Sequence, residues 1–208
     1  MPTLQQNLEP ARTALLVIDV QNDFCSPEGA TAKSGRSVKA CTDMVPRLIS
    51  LIDGARGAGV NVIFVQANGG RWTDSEAWIY RASDKPRSGN CREGTWGAEF
   101  YGVAPRPDEA VVLKPRNSAF FNTRLDSVLR TLKVDTLVVT GVATNVSVES
   151  TVRDAVQRDY NVVLVDDCAG AYDQAAHDAT LFNVRNFFGT VSSSSDVLGI
   201  WGRYKRAK

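Results

Sequence analysis

Histidine is almost missing from this sequence: His177 is the single copy in 208 residues. A multi-histidine metal site cannot be built from one copy, and a hydroxyl nucleophile has little chance of a histidine partner. Placed late, in a helical stretch, His177 reads as a surface or helix-cap residue. Cysteine is scarce as well. Cys25, Cys41, Cys91 and Cys168 form no C-x-x-C pair, which removes zinc-ribbon and disulfide-framework readings and leaves them as small packing residues. Neither sign of charge is in excess. With Lys+Arg at 24 and Asp+Glu at 23, the net charge of +1 gives no electrostatic case for a nucleic-acid or membrane partner. No apolar run approaches the ~20 residues of a membrane span. The opening MPTLQQNLEP lacks the basic and apolar stretches of a secretion leader. A cytoplasmic protein with no cofactor and no metal is expected.

What is present is ordinary globular composition, 43% hydrophobic and 23% charged, at a length that suits one domain over 1–208. Short β-branched runs recur at Thr13–Ile18, Val60–Val65, Ala110–Leu113, Thr136–Thr140 and Asn161–Val165, with a weaker one at Gly189–Val191. Runs apolar on both faces belong to a parallel sheet covered by helices. Helical periodicity alternates with them. Asp43–Gly57 spaces Val45, Leu48, Ile49 and Ile52 along one stripe, and Asn122–Leu132 does so with Leu125, Val128, Leu129 and Leu132, capped by Asn122 or Thr123. Val146–Arg158 and Ala175–Phe187 read the same way. The alternation predicts an α/β fold, a doubly wound, six-stranded, mostly parallel sheet with helices on both faces. Residues 68–108 break the rhythm. They hold Trp72, Trp78, Tyr80, Trp96, Phe100 and Tyr101, too many aromatics for a loose linker, and are expected to be an insertion folded over a pocket.

Ligands of open α/β sheets bind beyond the carboxyl ends of the strands, so polar residues there carry the most information. Asp19 closes the first run, where partial desolvation raises a carboxyl toward the range of a useful general base; a turn-capping Asp is the plain alternative. Lys114 ends AVVLK, able to hold a carboxylate ionised or polarise a carbonyl; alone it would pass for a solvated lysine. After the fourth run, GVATNVSVES leads into a helix, and Ser147 stands where helix-start amides stabilise an anion. An ordinary N-cap serine is the competing account. Each signal is weak singly, but together they put an acid, an ammonium and a nucleophile position at one edge of one sheet.

On these residues a resemblance becomes visible. VIDVQNDF, LKPRNSAFFNT and TGVATNVSVESTVRDAVQRDYNVVLVDDCAGA resemble the hallmark blocks of the isochorismatase-like cysteine hydrolases, over about Thr13 to Phe188, nearest the amidohydrolase branch. The resemblance implies a six-stranded parallel sheet, a homo-oligomer (dimer or tetramer), and an Asp–Lys–Cys triad at Asp19, Lys114 and position 147. It implies a cis peptide at Val142–Ala143 and an oxyanion hole from the amides of Ala143 and Ser147. Its thiolate attacks an amide carbonyl, ammonia or an amine leaves, and water hydrolyses the thioester. Here serine replaces that cysteine. Two explanations stand, an engineered Cys→Ser substitution, which is preferred, and a natural serine; on either, slow or absent turnover with substrate binding retained is expected. The family's nicotinamidases carry histidines for a divalent ion, and a single histidine cannot supply that site.

Small linear amide or ureido compounds are thus the expected substrates. Phe24, Asn68, Trp72, Asn117, Phe120 and Tyr172 are the candidate substrate contacts. Asn68 can both donate to and accept from a ureido group, and Trp72 can stack on a flat substrate. Arg71, Arg87, Arg92 and Arg116 are candidates for a carboxylate clamp. Two rival readings remain open: a vinyl ether hydrolase of isochorismatase type with Asp19 as general acid, and a non-catalytic binding protein that kept the pocket.

Overall fold

In the computed structural model, residues 3–81 and 89–204 are described. Six strands, β1 (Thr13–Ile18), β2 (Asn61–Ala67), β3 (Ala110–Lys114), β4 (Thr136–Val142), β5 (Asn161–Gly170) and β6 (Thr190–Ser192), form one sheet in the order β3-β2-β1-β4-β5-β6. Every pairing is parallel. The helices are α1 (Leu4–Asn7), α2 (Asn22–Cys25), α3 (Ala30–Lys33), α4 (Lys39–Asp43), α5 (Val45–Ala58), α6 (Glu76–Ile79), α7 (Leu125–Thr131), α8 (Glu149–Val156), α9 (Gln174–Asn183) and α10 (Ser194–Trp201). None among the described residues is long and apolar enough to cross a membrane.

β1 is buried at all six positions because both its faces are covered. Leu15 and Val17 join a core with Leu48 and Leu51 of α5 and Trp201 of α10. Ala14, Leu16 and Ile18 point the other way, into a second core with Leu125 and Leu129 of α7 and Val152 of α8. The period of two persists inside a continuous apolar run. Each fully buried Leu or Ile contributes about 1.5–3 kcal/mol through removal from water, so the central strand is the main anchor of both layers.

Several boundaries differ from the sequence reading. α5 begins at Val45, with Pro46 in its first turn, and Lys39–Asp43 forms its own short helix. Proline suits a helix start, where its missing N–H has no partner to lose. Ile49 is 40% exposed, while Leu51 and Ala55 take the buried stripe. α7 starts only at Leu125; Asn122 sits in the left-handed region at φ 52°, and Thr123 Oγ1 accepts from Leu125 N at 3.1 Å. β4 and β5 run past their apolar cores to Val142 and Gly170. α10 was not anticipated, since SSSSDVLGIW offers too few periodic positions, yet Val197 and Trp201 are buried and Trp201 Nε1 donates to Leu8 O at 3.2 Å.

The strand order reverses at β1, between β2 and β4, which opens a crevice at the carboxyl ends of these strands. Ile18 is level with both Val65 and Gly141, and Ala67 with Lys114, so the residues that follow β1 and β4 emerge beside the end of β3.

Candidate functional site

Asp19 leaves β1 in the left-handed region, φ 53°, held there by its N–H donating to Val65 O at 2.9 Å and its carbonyl accepting from Gln21 N at 2.8 Å. Such a backbone is costly for a residue with a Cβ, and persists when neighbours over-determine it. The turn aims the carboxylate across the sheet edge. Gly141 makes the approach of β4 possible. It has φ 112°, and a Cβ there would lie 2.0 Å from Ile18 O.

Lys114, on the last residue of β3, meets that carboxylate: its Nζ lies 2.6 Å from Asp19 Oδ2, with both side chains 2% exposed. Nζ also donates to Ser147 Oγ at 3.1 Å and to Arg116 O at 3.0 Å. Three donors thus have three acceptors, which fixes the ammonium between acid and hydroxyl. Asp19 Oδ1 is buried with no hydrogen-bond partner among the described residues. Burial raises the Asp19 carboxyl above its ordinary value of 3.8, outweighing the opposing charge and hydrogen bond of Lys114.

Ser147 lies in a π-helical turn, Thr144–Val148, between β4 and α8, rather than in an α-helical first turn. The Val142–Ala143 peptide is cis. Ala143 O accepts from Val146 N at 3.0 Å and Val148 N at 3.3 Å, and Ser147 O accepts from Thr151 Oγ1 at 2.7 Å. Two links tie the turn and the start of α8 to α9. Thr144 Oγ1 and His177 Nδ1 are 2.9 Å apart, and Glu149 accepts from Thr180 Oγ1 at 2.6 Å and Asn183 Nδ2 at 3.2 Å. His177 is therefore half-buried in the first turn of α9 instead of standing at the surface, and burial lowers its pKa from the ordinary 6.5.

Asp19, Lys114, Ala143 and Ser147 share a cavity of about 460 Å³. Of the candidate substrate contacts, Phe24, Asn68, Asn117 and Tyr172 line it. Two do not. Trp72 is 89% exposed, its ring beside Arg71 at 5.1 Å. Phe120 is buried in the second core and stacks on Tyr160 at 5.9 Å between centroids, because the Asn117–Phe120 stretch turns inward after β3. Of the four arginines marked in the sequence, Arg116 and Arg92 line the cavity, Arg71 does not, and Arg87 lies outside the described residues; Arg36 and Arg81, not marked there, line it too. The sequence reading missed Trp78 as a pocket residue. It belongs to α6, capped by Ser75 Oγ accepting from Trp78 N at 3.3 Å, and it carries Arg81 at 3.4 Å and Arg116 at 4.5 Å from its ring centroid. Ser75 before the acidic Glu76 signals a helix start, but it does not aim Trp78 at the cavity.

None of the four cysteines offers a thiolate. All are buried; burial pushes Cys41 and Cys168 up to about 12 and raises Cys25 and Cys91 as well. No cluster of three or more potential metal-binding His, Cys, Asp or Glu occurs among the described residues.

Known proteins resemble this chain in sequence and in fold. The ureidoacrylate amidohydrolase of Methylobacterium radiotolerans is 38% identical over 200 residues, covering 89% of this chain and 78% of that protein. A cysteine hydrolase from Pseudomonas syringae pv. phaseolicola superposes with a TM-score of 0.79 at 30% identity, covering 98% of this chain and 99% of that one. N-carbamoylsarcosine amidase from Thermoplasma acidophilum superposes with a TM-score of 0.71 at 26% identity, covering 88% and 96%. The Isochorismatase domain model matches residues 13–196, and the chain belongs to that family.

Proposed function

We propose that this protein is built to cleave a C–N bond of a small linear amide or ureido compound by nucleophilic attack from position 147. The observation that carries the reading is the buried ammonium of Lys114, which bridges Asp19 Oδ2 at 2.6 Å and Ser147 Oγ at 3.1 Å. An acid, a cation and a nucleophile position within hydrogen-bond reach of one another are what acyl transfer needs.

With cysteine at 147, Asp19 takes the thiol proton and Lys114 stabilises the thiolate, a modest task for a thiol whose unperturbed pKa is about 8.5. The sulfur attacks the carbonyl carbon, and the amides of Ala143 and residue 147 receive the developing oxyanion. Asp19 returns its proton to the departing nitrogen, ammonia or an amine leaves, and water hydrolyses the thioester. A raised Asp19 carboxyl suits both proton transfers. The Ser147 hydroxyl is a far weaker acid, and His177 is not among the cavity-lining residues. The serine chain therefore binds substrate and turns it over slowly or not at all.

The test is Ser147→Cys, assayed for ammonia release with ureido acids, biuret-like compounds and simple amides, and for pyruvate release from isochorismate. A gain of at least about 100-fold in amide or ureide hydrolysis is expected, the lower range of what a positioned nucleophile and base contribute. No gain on any C–N substrate, or pyruvate release alone, rejects the reading.

A further inference from the structure

Lys114 and Ser147 come from different parts of the chain, so their 3.1 Å contact lasts only while the turn after β4 and the segment after β3 stay in place relative to each other. A buried hydroxyl joins those two pieces. Thr151, in the first turn of α8, donates through Oγ1 to Ser147 O at 2.7 Å, and the same oxygen accepts from Ala119 N at 3.0 Å. The first bond reaches four residues back along the helix, a common habit of threonine that implies nothing by itself. The second is different, because Ala119 lies 32 residues earlier, in the stretch that leaves Lys114. That stretch also supplies Arg116 O, which accepts from Lys114 Nζ at 3.0 Å. With its donor and an acceptor site both engaged, the hydroxyl has a fixed orientation. Thr151 and Ala119 are fully buried, and neither lines the cavity. The hydroxyl therefore acts only through the groups it holds.

We propose that Thr151 is a positioning residue of this site, whose hydroxyl keeps position 147 within reach of the Lys114 ammonium. The reaction it serves is the hydrolase reading above, whereas its hold on the two segments needs no substrate. The bond from Lys114 Nζ to Ser147 Oγ and the bond from Ala119 N to Thr151 Oγ1 link the same two segments, one inside the cavity and one outside its lining. Without the hydroxyl, the buried Ala119 N–H loses its acceptor, and the stretch after Lys114 moves to find another. Such a shift draws the ammonium away from position 147. A thiolate there is then stabilised less, because the benefit of an opposite charge falls with distance.

The test places Thr151→Val and Thr151→Ser in the Ser147→Cys chain and follows alkylation of the introduced thiol by iodoacetamide across the pH range 5 to 10. Peptide mass spectrometry separates that thiol from the four buried native cysteines. Valine matches the shape of threonine and lacks the hydroxyl. It is expected to slow alkylation at pH 7 about tenfold and to move the midpoint to higher pH, as a small misplacement of reacting groups does. Serine keeps the hydroxyl and is expected to stay within about threefold of the parent. Thr13→Val is the control for lost stability alone, since it removes a buried hydroxyl bonded to Glu9 O at 2.7 Å at the far end of β1; it is expected to leave the profile unchanged. Should the valine variant not fold, Thr151→Ala is judged by the same thresholds. In C–N hydrolysis, kcat is expected to fall with the alkylation rate while KM holds. Alkylation in Thr151→Val within about threefold of the parent, a serine variant as impaired as the valine one, an equal loss in Thr13→Val, or a change in KM with kcat unmoved overturns the proposal. Absence of all C–N hydrolysis in the Ser147→Cys chain rejects the hydrolase reading instead, and the alkylation comparison then decides the role of Thr151 on its own.

Discussion

A lysine and an aspartate that both exclude water are a liability unless each has the other. Removing one partner of a buried pair leaves an uncompensated charge and costs about 3–5 kcal/mol, whereas replacing both with neutral groups of similar volume is often near neutral. Lys114→Met is therefore expected to lose a few kcal/mol in urea denaturation, and Asp19→Asn added to it should recover most of the loss. The loss should also depend on pH. An unpaired, buried Asp19 has its carboxyl raised further above the unfolded value, so it is neutral and cheap below that value. The variant's stability should then decline as pH climbs from the ordinary carboxylate range through the raised one. A loss that is flat from pH 4 to 8, with no recovery in the double variant, would mean the pair contributes little.

The element that decides the site is the Thr144–Val148 turn, because a nucleophile position is only as fixed as its supports. Glu149 and His177 attach the turn and the start of α8 to α9 from two sides. Burial pushes the Glu149 carboxyl up, but hydrogen bonds from Thr180, Arg153 and Asn183 prevail and hold it below its ordinary 4.5, so its contribution is present above that value and lost in acid. His177 acts at higher pH. Its folded pKa lies below 6.5 through burial, so the unfolded chain takes up the proton first. Its effect is a stability that is full above about pH 6.5 and falls as pH drops below it. Because the ring is only half-buried, solvent screening keeps the effect small. Comparing thermal midpoints of the parent and His177→Gln at pH 5.5 and 8 should show a smaller pH-dependent drop in the variant. Equal drops would remove His177 as the cause.

At the scale of the whole molecule, a rigid sheet supplies the reacting groups and the insertion supplies a wall. The polar residues after Asp19 make the join. Gln21 Nε2 donates to Ala98 O at 2.7 Å and its Oε1 accepts from Ala67 N at 2.8 Å, while Asn22 Nδ2 donates to Trp96 O at 2.8 Å. Asp23 accepts from Cys91 N at 2.7 Å and Ala30 N at 3.0 Å. Gly97 lets this carboxylate in, since a Cβ there would lie 2.0 Å from Asp23 Oδ2. Asp23→Ala strands two backbone donors at about 1–3 kcal/mol each if they stay buried. Limited proteolysis should cut the variant faster between residues 89 and 99, with far-UV circular dichroism little changed. Unaltered cleavage would place the insertion's anchorage elsewhere.

The continuous β-branched runs determined by themselves that the sheet is parallel and two-sided, because only helices on both faces can bury such strands. The polar residues ending those runs marked Asp19, Lys114 and Ser147, since strand ends in this architecture converge on one edge. Which aromatic of the insertion faces the cavity was decided only in three dimensions. Trp72 and Trp78 are equally plausible in sequence, and the cap at Ser75 and the guanidinium of Arg116 separate them. The stretch after Asp19 shows the same limit. Gln21, Asn22 and Asp23 could pass for site residues, yet apart from Ala30 their side-chain partners lie 46 to 77 positions away, at Ala67, Cys91, Trp96 and Ala98. Local pattern records what a residue offers, and only long-range packing determines which groups accept it.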